Sequence, residues 1–199
     1  MPELLFATNN VHKVQEVQAA VGNNFQIISL QQAGICIDIP EPHATLEENA
    51  EEKSGTIYKL YGKNCFSEDT GLEVNTLGGE PGVKSARYAG ENRSDEENIR
   101  KLLQMLQGQA NRAARFRTIV SLMLEGKGYR FEGICDGTIR HMPAGKQGFG
   151  YDPVFQPAGS AKTFAQMNIE EKGLYSHRKK AIAKLVTFLQ QVSLPMAKG

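Results

Sequence analysis

The chain opens with a short apolar stretch, Leu4-Leu5-Phe6-Ala7, then the polar Thr8-Asn9-Asn10, then Val11, Val14, Val17 and Val21. The unbroken apolar run reads as a buried strand, and the spacing of the valines as one face of a helix. Residues 25–30 (FQIISL) predict a second strand, and a loop carrying Asp38, Pro40, Glu41 and Pro42 follows. Thr45 with Glu48 three residues later forms a capping box. It opens a helix that runs to about Tyr61 and ends at Gly62. Residues 64–67 predict a short strand that ends in Glu68-Asp69-Thr70-Gly71, a turn at a sheet edge. Residues 72–77 alternate as a further strand, broken by Gly78-Gly79 and Pro81-Gly82. Ser94 and Glu97 make another capping box, with Ile99, Leu102, Leu103 and Leu106 as the buried stripe.

The middle of the chain changes character. Residues 115–124 and 129–135 are strand-like and meet around Gly126-Lys127-Gly128, which predicts a long hairpin. Residues 143–157 are rich in glycine and aromatics and fit neither a regular helix nor a central strand throughout. Ser176 reads as the cap of a last helix with Ala181, Ile182, Leu185 and Leu189 inward, and residues 193–199 as a loose tail. The predicted fold is α/β, a mixed sheet flanked by helices and extended by the antiparallel hairpin. Its 199 residues make one domain, or one domain with two lobes.

Bulk composition narrows the function classes. Hydrophobic residues are 40% and charged residues 23%, as in a soluble globular protein. A formal net charge of +1 gives no bulk electrostatic drive toward nucleic acid or an anionic membrane, so neither is an expected partner. No stretch is apolar for long enough to span a bilayer, and Met1-Pro2-Glu3 does not begin a signal peptide. Cys36, Cys65 and Cys135 stand apart in no metal spacing. They read as buried thiols of a reducing compartment, which predicts a cytoplasmic protein.

Three constellations carry candidate chemistry. Residues 8–13 form a strand–turn–helix entry whose free N–H groups and dipole favour an anion such as phosphate. The glycines and Lys-Ser/Thr pair of a Walker A loop are absent. The plainer alternative is that Asn9 or Asn10 caps the helix and Lys13 is solvated. Second, Glu68-Asp69 is a pair of adjacent carboxylates whose repulsion calls for a cation or donors. Their alternation sends one to the opposite face of the sheet. Glu41 and Glu48 add oxygen ligands of the kind that suits Mg²⁺, with the capping box as the favoured reading of Glu48. Lys13, Lys53 and Lys172 are donors for a triphosphate, though each alone also reads as a surface lysine. His177 and Arg178 place cationic side chains against the dipole of a helix N-terminus, so they are either functional or a plain surface pair. Third, the glycines around Phe149 in Gly148-Phe149-Gly150-Tyr151-Asp152-Pro153 expose a ring able to stack on a nucleobase, with Asp152 as acceptor. The alternative packs Phe149 and Tyr151 under the loop, with Asp152 capping a turn.

Taken in order, these motifs resemble one family, the house-cleaning nucleoside triphosphate pyrophosphatases that act on inosine and xanthosine triphosphates. The matching residues are Thr8-x-Asn10-x-x-Lys13, residues 45–50 with Lys53, Glu68-Asp69-Thr70-Gly71-Leu72, Pro81-Gly82 with residues 85–90, residues 148–153, and Lys172 with Ser176-His177-Arg178. The resemblance implies an elongated two-lobed α/β fold with a long central sheet, a cleft between lobes, and a homodimer. It implies Mg²⁺-dependent hydrolysis of ITP, dITP or XTP to the monophosphate and pyrophosphate. By position, Asp69 is then the general base and a metal ligand, with Glu41 and Glu68 at or near the metal. Thr8, Asn9, Asn10, Val11, His12, Lys13, Lys53 and Thr70 hold phosphates. Phe149 stacks on the purine, Gly150, Tyr151 and Asp152 line its pocket, and Lys172, His177 and Arg178 complete recognition. Glu68, where two aspartates in a row are frequent, is the departure nearest to the chemistry. The rival expectations are a pyrophosphatase of other nucleotides, a nucleotide sensor without turnover, and a nucleic-acid module.

Overall fold

The structure, a computed structural model, describes residues 2–193. The first half is two parallel crossovers. Strand β1 (Glu3–Phe6) leads through helix α1 (Val11–Val21) to β2 (Gln26–Ser29), and α2 (Leu46–Tyr61) returns the chain to β3 (Cys65–Val74). Both β2 and β3 lie parallel to β1. The two-residue β4 (Pro81–Gly82) pairs antiparallel with the far end of β3. After α3 (Asp95–Met105) come β5 (Ala113–Leu124), β6 (Lys127–Ile139) and β7 (Phe155–Pro157), then α4 (Ile169–Tyr175) and α5 (His177–Ser193). The strand order is β2-β1-β3-β5-β6-β7, so β3 joins the parallel part of the sheet to the antiparallel part.

Long strands let one sheet carry more than one core. Helices α1 and α5 cover one face, where Val17, Val21, Ala181, Ile182 and Leu185 meet Phe6, Phe66, Val120 and Leu122. The opposite face is covered by α2, with Leu46 and Ala50 against Ile119. Polar contacts there tie helix to sheet: Ser54 and Ser121 share a hydrogen bond of 2.8 Å, and the Ser67 hydroxyl donates to the Ala50 carbonyl. A further cluster gathers Leu72, Val74, Leu102, Leu106, Phe116, Phe155 and Phe164 at the other end of β3 and β5.

The capped helices form as the pattern requires. Thr45 accepts from the Glu48 N–H at 3.2 Å, Gly62 closes α2 in the left-handed region, and Ser94 caps α3. The Ser176 hydroxyl accepts from the Lys179 N–H and starts α5, whose Ala181, Ile182, Leu185 and Leu189 are buried.

Four expectations are corrected. Residues 65–74 are one continuous strand rather than two strands with a turn at Glu68–Gly71. Pairing with β5 runs unbroken from Cys65 opposite Met123 to Val74 opposite Ala114, so the carboxylates sit mid-strand in the sheet interior. Gly71 is there for space: a Cβ would lie 2.7 Å from the Gly82 carbonyl oxygen as β4 crosses it. The hairpin turn is Glu125-Gly126, both at positive φ (49° and 78°), and Lys127 and Gly128 already belong to β6. That is the two-residue turn whose twist matches antiparallel strands. Helix α4 was not expected; Asn168 caps it in a box with Glu171. Finally, Cys36 is exposed while Cys65 and Cys135 are buried. It follows Ile35, which takes the inward position on an irregular segment. The tail expected over residues 193–199 lies, beyond Ser193, outside the described residues.

Candidate active site

Alternation along β3 separates the two carboxylates. Asp69 faces α2 and Glu68 faces α1 and α5. On the α2 side, the buried Lys53 ammonium lies 2.6 Å from Glu41 Oε1 and 3.3 Å from Asp69 Oδ1. One cation therefore holds two carboxylates that would otherwise repel. They do not titrate alike. Burial raises the Asp69 carboxyl, and its net shift stays upward because Lys53 and Lys13 only partly offset burial and the Glu41 charge. Glu41 is less enclosed; burial raises it too, but the closer contact to Lys53 carries it below the usual carboxylate range. A carboxylate that takes a proton more readily than usual is the better general base.

On the other face, Glu68 is enclosed by cations. The Arg178 guanidinium forks onto it, with Nε 2.7 Å from Oε2 and Nη2 2.8 Å from Oε1, and the Lys13 ammonium is 3.0 Å from Oε1. Burial alone would raise this carboxyl, but Arg178 and Lys13 hold it far below the usual range. Arg178 also pairs with Glu16 and reaches the Thr70 hydroxyl at 3.4 Å. Glu16 in turn accepts from Lys172 Nζ at 2.6 Å, and Lys172 donates to Asp152 Oδ2 at 2.5 Å. A chain of alternating charges thus runs from Lys13 to Asp152. Asp152 keeps an upward shift, since burial outweighs Lys172.

The helix entry takes a definite form. Asn10 is the cap, accepting from the Lys13 N–H at 3.1 Å, while Asn9 accepts from the Gln31 N–H and Thr8 from the Asn10 N–H. Lys13 turns inward to Glu68 rather than into solvent. The Phe149 loop is held by hydrogen bonds. Gly148 and Gly150 have φ of 79° and 60°. A Cβ on Gly148 would sit 2.0 Å from Asp152 Oδ2. The N–H groups of Phe149 and Gly150 donate to Asp152 (3.1 Å) and Asp95 (2.6 Å), and the Tyr151 hydroxyl donates to the Ser85 carbonyl at 2.9 Å. His177 stacks on Phe116 at 4.6 Å. Burial, with Arg178 and Lys172 nearby, pushes its pKa well below the usual value, so the imidazole is neutral. Its buried Nδ1 has no hydrogen-bond partner among the described residues.

One cleft of about 500 Å³ collects these groups. Of the residues singled out in the sequence, Thr8, Asn9, Asn10, Lys13, Glu41, Lys53, Asp69, Thr70, Phe149, Gly150, Tyr151, Asp152, Lys172, His177 and Arg178 line it. Val11, His12 and Glu68 do not. Val11 is 61% exposed, at the start of α1. His12 is exposed and stacks on Phe149 with ring centroids 5.3 Å apart. Glu68 lies behind the cleft wall with both oxygens already taken, so a metal there would have to break its fork with Arg178. The sequence reading missed Glu16 and Asp95. Glu16 lies one turn after Lys13, and no local signal marks it; only its pairs with the distant Lys172 and Arg178 reveal its use. Asp95 is in the first turn of α3, and only its bond from the Gly150 N–H ties it to the site.

No three His, Cys, Asp or Glu side chains converge as a metal cage among the described residues. Magnesium does not need one, since it keeps waters and takes one or two carboxylates with substrate phosphates. Glu41 and Asp69, side by side on Lys53, fit that demand.

The Ham1 family model matches residues 4–188 of the chain. A dITP/XTP pyrophosphatase of Flavobacterium psychrophilum is 47% identical over 188 residues, covering 94% of this chain and 99% of that protein. One from Porphyromonas gingivalis is 45% identical over 190 residues, covering 95% and 98%. The solved structure of the Staphylococcus aureus Ham1 protein has a TM-score of 0.86 at 39% identity, covering 96% of this chain and all of that one (100%). With a match from the first strand into the last helix, the chain belongs to the Ham1 family.

Proposed function

We propose that this protein hydrolyses ITP, dITP and XTP to the monophosphate and pyrophosphate, with Mg²⁺. The observation that carries the reading is one cleft whose lining brings an anion-binding set (Thr8, Asn9, Asn10, Lys13, Lys53, Thr70) together with an aromatic set (Phe149 with Lys172, His177 and Arg178), with Glu41, Lys53 and Asp69 grouped in the same wall. The relatives named dITP/XTP pyrophosphatase support the substrate class. Asp69 takes a proton from the attacking water as that water's oxygen bonds to the α-phosphorus and the bond to the β-phosphate bridge oxygen breaks. Lys13 and Lys53 neutralise charge that grows on the departing pyrophosphate. Glu41 and Asp69 would hold Mg²⁺, which shields the triphosphate and polarises its phosphoryl oxygens. Phe149 stacks on the base, and the neutral His177 with its unpaired Nδ1 offers a hydrogen bond to the purine edge. A site built to pair a 6-oxo group leaves its partners unsatisfied against the 6-amino group of adenine, a mismatch able to cost about 10⁴-fold.

The test is pyrophosphate release from ITP, dITP, XTP, GTP and ATP, with Mg²⁺ and with EDTA. The expected result is kcat/KM far higher for ITP and XTP than for ATP, lost in EDTA and restored by Mg²⁺. Equal values for ITP and ATP would sink the substrate assignment, and full activity in EDTA the cofactor. We further propose a homodimer in the cytoplasm. Family resemblance supports the first, to be checked by sedimentation; the three free cysteines support a reducing compartment. No helix of the described residues is long and apolar enough to cross a membrane.

A further inference from the structure

His12 sits between Asn10 and Lys13 in the helix entry, yet it is not part of the cleft lining. Its imidazole lies nearly parallel to Phe149, with centroids 5.3 Å apart and 19° between planes. Phe149 lines the cleft and His12 does not. Lys172 Nζ and the Arg178 guanidinium, both cleft-lining, approach the Phe149 ring at 5.3 and 5.6 Å. The imidazole therefore covers one face of the phenyl ring, which two cleft-lining cations also approach. The loop backbone is held by Asp152 and Asp95, and the ring itself meets His12, Lys172 and Arg178.

We propose that His12 is a positioning residue for the base: it braces the Phe149 ring by stacking on it and joins that platform to the helix that presents Lys13. This rests on the nucleotide reading above and deepens it, since residues 8–13 would then serve both ends of the substrate. Only Thr8, Asn9, Asn10 and Lys13 address the phosphates, whereas His12 acts through an aromatic neighbour. An aromatic pair of this kind corresponds to roughly a 3- to 10-fold effect on binding.

The experiment is a double-mutant cycle in the full chain, with H12A, F149A, the double variant and H12F. Because His12 is exposed, H12A should fold, with a Tm within a few degrees of the parent's. H12A should raise KM for ITP about 3- to 10-fold with kcat within twofold of the parent. H12F should restore KM, and H12A should add nothing in the F149A background. Inhibition by inorganic tripolyphosphate should be the same in H12A and parent. An additive penalty in the double variant, a weaker tripolyphosphate inhibition in H12A, or an H12F variant as poor as H12A would each overturn the proposal. If the parent releases no pyrophosphate from any nucleotide, the hydrolase reading fails by itself. The parent, H12A, F149A and the double variant titrated calorimetrically with ITP then decide the His12 question by the same criterion of non-additivity.

Discussion

Asp69 and Glu68 are neighbours in sequence with opposite electrostatic fates, and the difference comes from one bond of strand alternation. Asp69 shares a single lysine with Glu41 and stays easier to protonate than a free carboxyl. Glu68 meets two cations and stays ionised. Asp69→Asn should fold normally and lose roughly 10²–10⁴-fold in kcat from the base alone. Circular dichroism with single-turnover kinetics checks both halves, and near-parental turnover in a folded variant would remove Asp69 from the mechanism. Lys53 is the largest influence drawing the Asp69 pKa down. In Lys53→Met that influence is gone, so the pKa rises further. A base must be unprotonated, so the acidic limb of the kcat/KM profile should move to higher pH as well as fall in height. An unmoved limb would mean that another group titrates in that profile. Residue types and order were legible here: the carboxylates, lysines and Phe149 were all named from sequence. What was not legible is pairing across long separations, such as Glu16 with Lys172 and Arg178, because periodicity reports the face of a helix and not its neighbour.

At the scale of elements, caps and stripes were readable because their signals are local. Thr45, Ser94 and Ser176 each start a helix where expected. β3 was misread because Gly71 imitates a turn, whereas its missing side chain serves the crossing of β4. Gly71 is not in a left-handed conformation, so Gly71→Ala should fail by collision rather than by backbone strain. Overpacking of this sort costs about 1–3 kcal/mol. For a chain of this size that is a Tm loss of roughly 2–12 °C. The site should feel it, because Thr70 and Asp69 immediately precede Gly71. Calorimetry with ITP kinetics tests this, and an unchanged Tm would mean that β4 moves aside freely.

Across the whole molecule, the charge chain closes the fold on itself. Glu16 belongs to α1, Glu68 to the central strand, Lys172 to α4 and Arg178 to α5, so ion pairs span sequence separations of 156 and 110 residues. They are assembled only in the folded chain, and so stability must follow their protonation. The sign differs by group. Glu16, Glu41 and Glu68 have lowered pKa values in the folded state. Their contribution is complete above the ordinary value of 4.5 and is lost as pH falls through the lower folded values. Asp69 and Asp152 are raised and act oppositely, since protonation in acid relieves them. His177 has the highest ordinary pKa of these groups. Its folded pKa is depressed from 6.5, so below that pH the unfolded chain takes up a proton that the folded chain refuses. Stability should therefore start to fall as pH drops below about 6.5, well before the glutamates respond, with a slope approaching 1.4 kcal/mol per pH unit. His177→Phe keeps an aromatic ring against Phe116, has no group to titrate, and removes the unpaired Nδ1. Melting from pH 8 to pH 5 should show a sloping limb in the parent and a flat one in this variant. A limb of equal slope in both would mean that the buried imidazole is not what couples this fold to mild acid.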